Sequence, residues 1–533
     1  GRQLADVFER LKPPPGGDAA LDAAPFDALK SRLAASFDRE FGGFGAAPKF
    51  PHPATLDRLL RQWHASAAGE DADAEALFMA SLTLTRMAEG GICDQLGGGF
   101  CRYSVDRYWQ IPHFEKMLYD NGALLAVYAQ AAGATGEELF ARVARETARW
   151  LMDDMRAANG GCYSSRDADS EGEEGKYYVW TPDEVRALLD EHEYLVAARH
   201  YGLDAAANFE GRWHLSVREP LAGIAAKTGE SLPSLRQRLE RARWRLLEAR
   251  SRREPPARDE KQLTSWNALA IRGLAIAGRI FGEPHYVAAA VAAADFLREQ
   301  LFRDGRLLAS YKDGHARFPA YLDDHAFLLD ALLELLQADW HGRHLHFAVA
   351  LAELLLTRFI DARDGGFYFT ADDHESLIDR PKPLADEAMP SGNGIAAFAL
   401  QRLGFMLGET RYLDAAEATL KCAQRALADY PQGHVSLLTA LEEYLAHPEI
   451  IVIRGGSDEI AEWRDGAARA YAPRRLVFAI DAAADDLPGA LADRPPIPGE
   501  TVAYRCVGDH CSLPITRFEA LAEALHSKSS EWQ

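Results

Sequence analysis

The sequence predicts a mainly α-helical fold, an (α/α)6 toroid of six helical hairpins with a small α/β region at its C-terminal end. Three observations support this prediction: a glycine-rich turn that recurs along the chain, helical periodicity between the turns, and strand-like patterning after residue 447. A chain of 533 residues is long enough for six such hairpins and a further small region.

The recurring turn contains two glycines followed by an aromatic residue, or by cysteine and tyrosine. It occurs at residues 42–44, 98–100, 160–163 and 365–367, with a weaker form at 304–305. The turns repeat at intervals of about 60 residues, enough for two helices and two loops. One interval is more than twice as long. This interval spans two repeats, and the turn between them lacks the glycine motif. We place that turn near residues 259–266, after a charged helix at 235–253 that we interpret as part of an insertion.

Between the turns, apolar residues recur at steps of three and four, which is the helical period. Residues 281–302 and 345–360 are clear examples. Ser391 precedes an apolar run, and Thr181 with a following proline is typical of a helix N-terminus. Helix capping alone explains the glycines of the turns, but not the aromatic residues that follow them.

The pattern changes after residue 447. A buried-strand run at 449–453 is followed by a helix up to Tyr471 and a second strand at 475–480, which is a β-α-β arrangement with a parallel pair. We therefore divide the chain into a connecting segment (1–36), the toroid (37–447) and a small α/β region (448–533).

Composition excludes several classes of protein. Asp and Glu number 80 against 59 Lys and Arg, and a net charge of −21 argues against nucleic-acid and membrane-surface binding. The six cysteines fit neither a disulfide framework nor a zinc pattern, so we expect packing thiols in a reducing compartment, with no metal or cofactor. The first residues carry no signal-peptide pattern, and we expect a cytoplasmic protein.

The loops beside the turns carry carboxylates, histidines and aromatic rings, and in a toroid such loops converge at one end. Aromatic faces and carboxylates together suit a sugar, which has C–H faces for stacking and hydroxyls for hydrogen bonding. The candidate catalytic residues are Asp169, Asp324, His113, His325, Glu115, Glu174 and Asp259. The candidate substrate-binding residues are Trp109, Tyr103, Tyr177, Trp180, Trp266, Asn267 and Asn393.

Two reactions on a sugar remain open. Hydrolysis needs two carboxylates that flank the bond, about 5–5.5 Å apart for retention or about 6.5–9.5 Å for inversion. Epimerisation needs a base on each face of a carbon, and His113, His325 and His374 lie in or beside repeat loops.

Several candidates also have purely structural interpretations. The acidic loop around Asp169 fits a solvated turn, and either Asp323 or Asp324 fits the N-cap of the apolar helix that follows. Glu115 could equally be a buried residue that fixes the loops. Each histidine, taken singly, fits a hydrogen-bonded structural role.

Several motifs carry a family resemblance. They include Lys-Phe-Pro-His-Pro at 49–53, Pro-His-Phe-Glu-Lys-Met-Leu-Tyr-Asp at 112–120, Leu-Thr-Ser-Trp-Asn at 263–267, and Tyr-Leu-Asp-Asp-His at 321–325. In this order, from about residue 37 onward, they resemble the YyaL-type family, which includes the spermatogenesis-associated, thioredoxin-like proteins.

The resemblance implies a thioredoxin-like domain followed by a six-hairpin glycosidase-like toroid, similar in fold to N-acylglucosamine 2-epimerases and glycoside hydrolases. No CxxC precedes residue 37 in this sequence. Two hypotheses follow: a sugar hydrolase or epimerase, or a non-catalytic binding module that works with a thioredoxin-like redox domain.

Overall fold

The computed structural model describes residues 20–67, 72–375 and 379–526. Residues 1–19 of the predicted connecting segment and the last seven residues of the predicted α/β region lie outside this description. The helices are α1 (Ala24–Ser36), α2 (Pro53–Ser66), α3 (Ala74–Glu89), α4 (Leu118–Thr135), α5 (Glu138–Trp150), α6 (Pro182–Leu188), α7 (Glu191–Tyr201), α8 (Leu221–Thr228), α9 (Leu232–Arg250), α10 (Thr264–Phe281), α11 (Pro284–Phe296), α12 (Leu322–Ala338), α13 (Gly342–Leu354), α14 (Gly392–Leu407), α15 (Thr410–Asp429), α16 (Val435–Leu445), α17 (Ser457–Ala467) and α18 (Phe518–His526).

Outside the C-terminal region the strands have two residues each, except β10 with seven and β11 with five. They are β1 (Tyr103–Ser104), β2 (Pro112–His113), β3 (Lys116–Met117), β4 (Ser165–Arg166), β5 (Asp169–Ser170), β6 (Glu173–Glu174), β7 (Arg258–Asp259), β8 (Gln262–Leu263), β9 (Phe302–Arg303), β10 (Arg306–Lys312), β11 (His315–Pro319), β12 (Glu449–Gly455), β13 (Arg475–Asp481), β14 (Val502–Val507) and β15 (His510–Cys511).

Six helices form a closed inner ring. Following the packing of neighbours, the order is α2, α4, α10, α12, α14 and α16, and α16 contacts α2 again. The helices α1, α3, α5, α11, α13 and α15 pack around them as an outer layer. The predicted (α/α)6 toroid is therefore confirmed. The helix α1 packs on α15 and therefore belongs to the toroid. The first described helix of the toroid thus begins at Ala24, before the predicted domain boundary at residue 37.

The insertion predicted within the long interval consists of α6 to α9. It has a hydrophobic core of its own, which includes Trp180, Val185 and Leu246. Buried ion pairs attach it to the ring: both Arg250 Nη atoms lie 2.8 Å from Asp94.

A lysine, buried at two of the turns and half-buried at the third, closes three of the glycine turns in the same way. Lys116 Nζ lies 2.8 Å from Asp94 Oδ2 and donates to the Gly98 carbonyl at 2.9 Å. Lys49 joins Asp38 to Gly42, and Lys382 joins Asp361 to Gly365, with matching contacts. Gly98 has φ +76°, and a Cβ there would meet the Glu146 carbonyl oxygen at 2.3 Å, so this position requires glycine.

An asparagine in the first turn of the following inner helix holds three of the glycine turns, those at 98–100, 160–163 and 365–367. Asn121 Oδ1 accepts the Phe100 N–H at 2.7 Å, and its Nδ2 donates to the Phe100 carbonyl at 2.9 Å. Asn267 holds Cys162 in this manner, and Asn393 holds Phe367. Asn267 and Asn393, which the sequence suggested as substrate-binding residues, are therefore buried clamps of the turns.

Buried ion pairs close the ring at the end opposite the glycine turns, and we call this set the floor. Arg58 on α2 forms a bidentate ion pair with Glu442 on α16, with Nη–Oε distances of 2.8 and 2.9 Å. Arg402 on α14 pairs with Glu443 and, at 3.1 Å, with Glu334 on α12. Burial alone would raise the pKa of Glu442, but the pairs with Arg58 and Arg61 lower it well below its usual range.

The C-terminal region packs beneath the floor. Its sheet has the order β13-β12-β14-β15, with β12 and β13 parallel and α17 between them in sequence, as predicted. The Pro473 carbonyl accepts hydrogen bonds from Arg402 and Arg61 of the ring. Cys506 and Cys511 form a disulfide between β14 and β15, so the expectation of packing thiols is wrong for this pair. The other four cysteines are free and buried.

The floor generates a stability prediction. Replacing Arg402 with Met leaves Glu443 and Glu334 without one of their cations, so we expect the free energy of unfolding to fall by about 3–5 kcal/mol. Arg411→Met is the matched control, because Arg411 forms exposed pairs with Glu353 and Glu409, and their loss should change the free energy of unfolding much less. Urea denaturation of both variants measures the difference; equal losses would contradict a special role for the floor.

Candidate functional site

A cavity of about 480 Å³ lies on the axis of the ring, at the end where the glycine turns are. The first turns of α2, α4 and α16 line it, together with residues of α10, α12 and α14 and the loop at 385–390. Its walls are mostly apolar, with Asp120, Arg102 and Asp386 among the polar groups. Apolar walls with a few convergent polar groups are typical of small-molecule sites.

Asp120 lies in the first turn of α4, between the clamp residues Lys116 and Asn121. Only 6% of the residue is exposed, and its Oδ2 has no hydrogen-bond partner among the described residues. Burial raises the pKa of Asp120 well above its usual range, and the nearby Arg102 guanidinium only partly opposes this. Asp120 is therefore a carboxyl group that holds its proton to higher pH than an exposed aspartic acid.

The neighbours Asp323 and Asp324 have different environments. Asp324 accepts the backbone N–H groups of Ser265 and Tyr321, both at 2.9 Å, so it caps α12 and ties it to α10. Asp323 Oδ1 is buried and has no partner among the described residues. Burial, together with the charges of Asp324 and Glu387, raises the pKa of Asp323 to about 7.

Asp323 lies beside the cavity but is not among the residues that line it, and its Oδ1 lies against Gly392 at the start of α14. It lies one turn before Phe327, which lines the cavity, and residues four apart share a helix face. Glu387, whose charge acts on Asp323, also lines the cavity. Of the two adjacent carboxyl groups, Asp323 is thus the functional candidate, and the prediction for Asp324 is replaced by a capping role.

Asp386 is a fixed carboxylate on the α14 side of the cavity. It accepts hydrogen bonds from the Ser391 N–H at 2.8 Å, the Ser436 N–H at 2.9 Å and the Ser436 hydroxyl. Burial raises the pKa of Asp386, and these hydrogen bonds oppose the change. It ties the N-termini of α14 and α16 together and leaves the loop at 385–390 firmly attached at the cavity.

The mouth of the cavity carries three of the predicted catalytic residues. His113 Nδ1 lies 2.8 Å from Glu174 Oε1, and its Nε2 lies 3.6 Å from Glu115 Oε2. Glu115 also pairs with Arg102 at 3.4 Å, and Arg102 lies beside Tyr119 and Asp120. A continuous polar chain therefore runs from the surface at Glu174 to the buried carboxyl of Asp120.

Aromatic rings line the same mouth. Tyr103 stacks between Phe50 and His113, with ring centroids 4.9 and 5.3 Å away. Trp266 makes an edge contact of 4.8 Å with the ring of Tyr119, which lines the cavity. Of the predicted substrate-binding residues, Tyr103 and Trp266 are the two that the structure brings to the cavity or next to it.

The other predicted catalytic residues lie elsewhere. Asp169 is exposed in the β5–β6 hairpin, and Asp259 in β7 pairs with Lys261 at 3.0 Å. His325 is buried, its Nδ1 lies 2.8 Å from the Tyr321 carbonyl, and its ring packs on Phe359. Burial lowers the pKa of His325 to about 4, so the ring is neutral near pH 7 and serves packing.

Three predicted aromatic platforms are packed against protein. Trp109 is fully buried, and its Nε1 donates to the Phe41 carbonyl at 2.9 Å. Trp180 belongs to the core of the insertion, with Arg253 4.0 Å from its ring centre. The Tyr177 ring is covered by the Arg250 guanidinium at 5.1 Å. Their ring faces are thus used for packing within the protein.

Sequence reasoning missed Asp120, Asp323 as distinct from Asp324, Asp386 and Arg102. Asp120 ends the motif that contains the candidates His113 and Glu115, and its position beside the repeated asparagine is the sequence signal for it. Within the described ranges, no group of three side chains suits a metal ion, and no helix is both long and apolar enough to span a membrane.

The unusual state of Asp323 gives a prediction on stability and pH. Its pKa rises from 3.8 in the unfolded chain to about 7 in the folded protein, so folding becomes less favourable as pH rises between these values. The Asp323→Asn side chain cannot ionise. At about pH 8 the free energy of unfolding of this variant should therefore exceed that of the wild type by roughly 2–4 kcal/mol.

Thermal and urea unfolding at several pH values check this. Near pH 4 the difference should shrink, because both side chains are then neutral. The exposed Asp304→Asn is the control and should change little at any pH. A constant difference between Asp323→Asn and wild type at all pH values would refute the assignment.

The comparisons with known proteins agree with this architecture. Spermatogenesis-associated protein 20 of Homo sapiens is 32% identical over 542 residues, which cover 93% of this chain and 68% of that protein. The protein of the same name from Rattus norvegicus is 31% identical and covers 98% and 71%. No family model matches the chain.

Among solved structures, a D-mannose isomerase is similar with a TM-score of 0.50 at 11% identity, covering 80% of this chain and 99% of the isomerase, which shows the fold. The chain belongs to the spermatogenesis-associated protein 20 family.

Proposed function

We propose that this protein binds a sugar in the central cavity and acts on it by acid/base chemistry, with Asp120 as proton donor and Asp323 as base. One observation carries the proposal. Asp120 in the cavity and Asp323 beside it each have a raised pKa, no ion pair, and a buried oxygen without a hydrogen-bond partner among the described residues. Asp330, a third carboxyl with such an oxygen and a raised pKa, differs because it pairs with Arg272 at 2.8 Å. Such groups cost free energy in a scaffold but serve proton transfer in a site.

Asp120 suits the role of acid. Its raised pKa keeps the carboxyl protonated in the apolar cavity, and the partnerless Oδ2 is free to face a ligand oxygen. Arg102 lies next to it and, after proton transfer, would stabilise the carboxylate that forms. Tyr119, whose pKa burial raises to about 12, stays a neutral hydrogen-bond donor beside the acid.

Asp323 suits the role of base. A carboxyl with a pKa of about 7 is ionised in an appreciable fraction near neutral pH and is a stronger base than an exposed aspartate. Asp120 and Asp323 lie in the first turns of α4 and α12, and the two helices flank α10 in the inner ring. They approach the cavity from different sides.

The pair favours hydrolysis of a glycosidic bond over epimerisation by two histidines. In hydrolysis, the acid gives its proton to the leaving oxygen while the base takes one from water, and two carboxyl groups suffice. Among the described residues that line the cavity, His52 is the single histidine. His113 is at the mouth, held by Glu174, and would bind or orient a sugar hydroxyl there.

Sugars are the proposed ligand class because the cavity combines polar groups with aromatic and aliphatic walls. The D-mannose isomerase with a similar fold makes mannose and mannosides the first compounds to test. A binding module that serves a thioredoxin-like domain, and a cytoplasmic location, stay predictions from the sequence.

The proposal predicts separate effects on turnover and binding. With a panel of aryl glycosides and free sugars, the wild type should release product, whereas Asp120→Asn and Asp323→Asn should lower kcat by about 10²–10⁴-fold. Calorimetry should find sugar binding within about tenfold of wild type, since each variant keeps its shape and polarity. The pH profile of kcat/KM should have a limb near 7 that is absent in Asp323→Asn.

Asp304→Asn is the control, because this exposed carboxyl is not among the residues that line the cavity and its loss should leave kcat unchanged. If NMR shows that the wild type interconverts an aldose and a ketose, or epimerises a sugar, the proposed reaction becomes isomerisation instead of hydrolysis. Failure of every sugar to bind, or full activity in both carboxyl variants, would refute the proposal.

A further inference from the structure

The disulfide between Cys506 and Cys511 has two unequal ends. Cys506 in β14 is 2% exposed, whereas Cys511 in β15 is exposed at the edge of the C-terminal sheet. A thiolate from solution can therefore approach Cys511 Sγ but not Cys506 Sγ. Attack at the exposed sulfur makes the buried one the leaving group.

Arg494 is aimed at the buried sulfur. Its Nε and Nη2 lie 3.3 and 3.1 Å from Cys506 Sγ, and Nη2 also lies 3.1 Å from Cys511 Sγ. The residue is 7% exposed, and its remaining hydrogen bond goes to the Ala490 carbonyl. No carboxylate of the described residues lies within ion-pair distance of this guanidinium.

This arrangement is costly while the disulfide is intact, because disulfide sulfurs are weak acceptors for a buried cation. Reduction changes the balance, since a thiolate at Cys506 would give Arg494 a fully charged partner at hydrogen-bond distance. A cation next to a cysteine favours its thiolate, and a more acidic thiol leaves faster in exchange. The site thus fits the reduced protein better than the oxidised one.

We propose that Cys506–Cys511 is an exchangeable disulfide that accepts two electrons from a dithiol, with Arg494 stabilising the Cys506 thiolate. One thiolate of the dithiol attacks Cys511 Sγ. The Cys506–Cys511 bond breaks, and its electron pair leaves with Cys506.

The second thiol of the reductant then loses its proton and attacks the mixed disulfide, and Cys511 leaves as a thiolate. The dithiol becomes a disulfide, and the protein gains a thiol at Cys511 and a thiolate at Cys506. Of the two protons released, one goes to Cys511 and the other to solvent, while Cys506 stays ionised beside Arg494.

The other cysteines differ from this pair. Burial raises the pKa values of Cys93, Cys101 and Cys162 to about 12, which keeps them as unreactive thiols. Cys422 is also buried. The exchange site lies in the C-terminal sheet, and none of its residues lines the sugar cavity, so it is independent of the proposed function.

The test uses the full chain in dithiothreitol buffers of graded redox ratio, with differential alkylation and mass spectrometry of the peptides that contain Cys506 and Cys511. We expect wild type to be reduced reversibly while folded. Arg494→Gln should be reduced with an equilibrium constant about tenfold smaller, equivalent to about 30 mV, and more slowly. Arg494→Lys keeps the charge and should fall between the two.

Arg469→Gln is the control, because it removes an exposed charge from the same region without a sulfur contact and should match wild type. Circular dichroism confirms that each variant is folded. If Arg494→Gln does not fold, the reduced wild type decides: compared with Cys506→Ser, it should show thiolate ultraviolet absorbance below about pH 7. Reduction that requires unfolding, equal constants in wild type and Arg494→Gln, or no thiolate below that pH would overturn the proposal.

Discussion

The ion pairs of the floor determine where this protein can have a cavity. Six helices around an axis direct side chains inward, and at one end of the ring long charged residues such as Arg402 and Glu443 meet and fill the axis. At the other end the inner faces carry small residues, including Ala123 and Ala126, and space remains. Removing either partner of a floor pair takes one counter-charge from a buried charged group, so the closed end is tightly constrained while the open end can vary.

The clamps at the glycine turns extend this constraint to the cavity wall. Lys116 and Asn121 pin one turn to the start of α4, and Asp120 lies between them in sequence. Its buried carboxyl therefore has little freedom to reach solvent. The glycine turn at residues 160–163 keeps the same backbone geometry without the aspartate–lysine ion pair. Ala157 stands in place of the aspartate, and an amide pair between Asn159 and Gln262 replaces the lysine contact.

The sequence predicts the toroid well because the repeated turn has strict backbone requirements, such as the glycine at residue 98 that no side chain could replace. The site is harder to predict. Asp323 and Asp324 are adjacent, and about 100° of helix rotation decides which of them caps α12 and which keeps a buried oxygen without a partner. Trp109 looks like a sugar platform, but only the fold shows that its ring is buried. The asparagines at the start of successive inner helices were a repeat signal, and they were interpreted as ligand contacts.

The distribution of partners separates scaffold from site. Carboxylates such as Asp94, Asp361 and Glu442 have cations or several donors, as buried charges in a stable fold must. Asp120 and Asp323 each keep a buried oxygen without a hydrogen-bond partner and, unlike Asp330, form no ion pair with another described residue. A ring with a purely structural role would gain stability by replacing them with apolar residues of similar size. Both residues lie at the open end, where the floor leaves space for a ligand. Their free oxygens are best explained if the bound ligand supplies the missing hydrogen-bond partners.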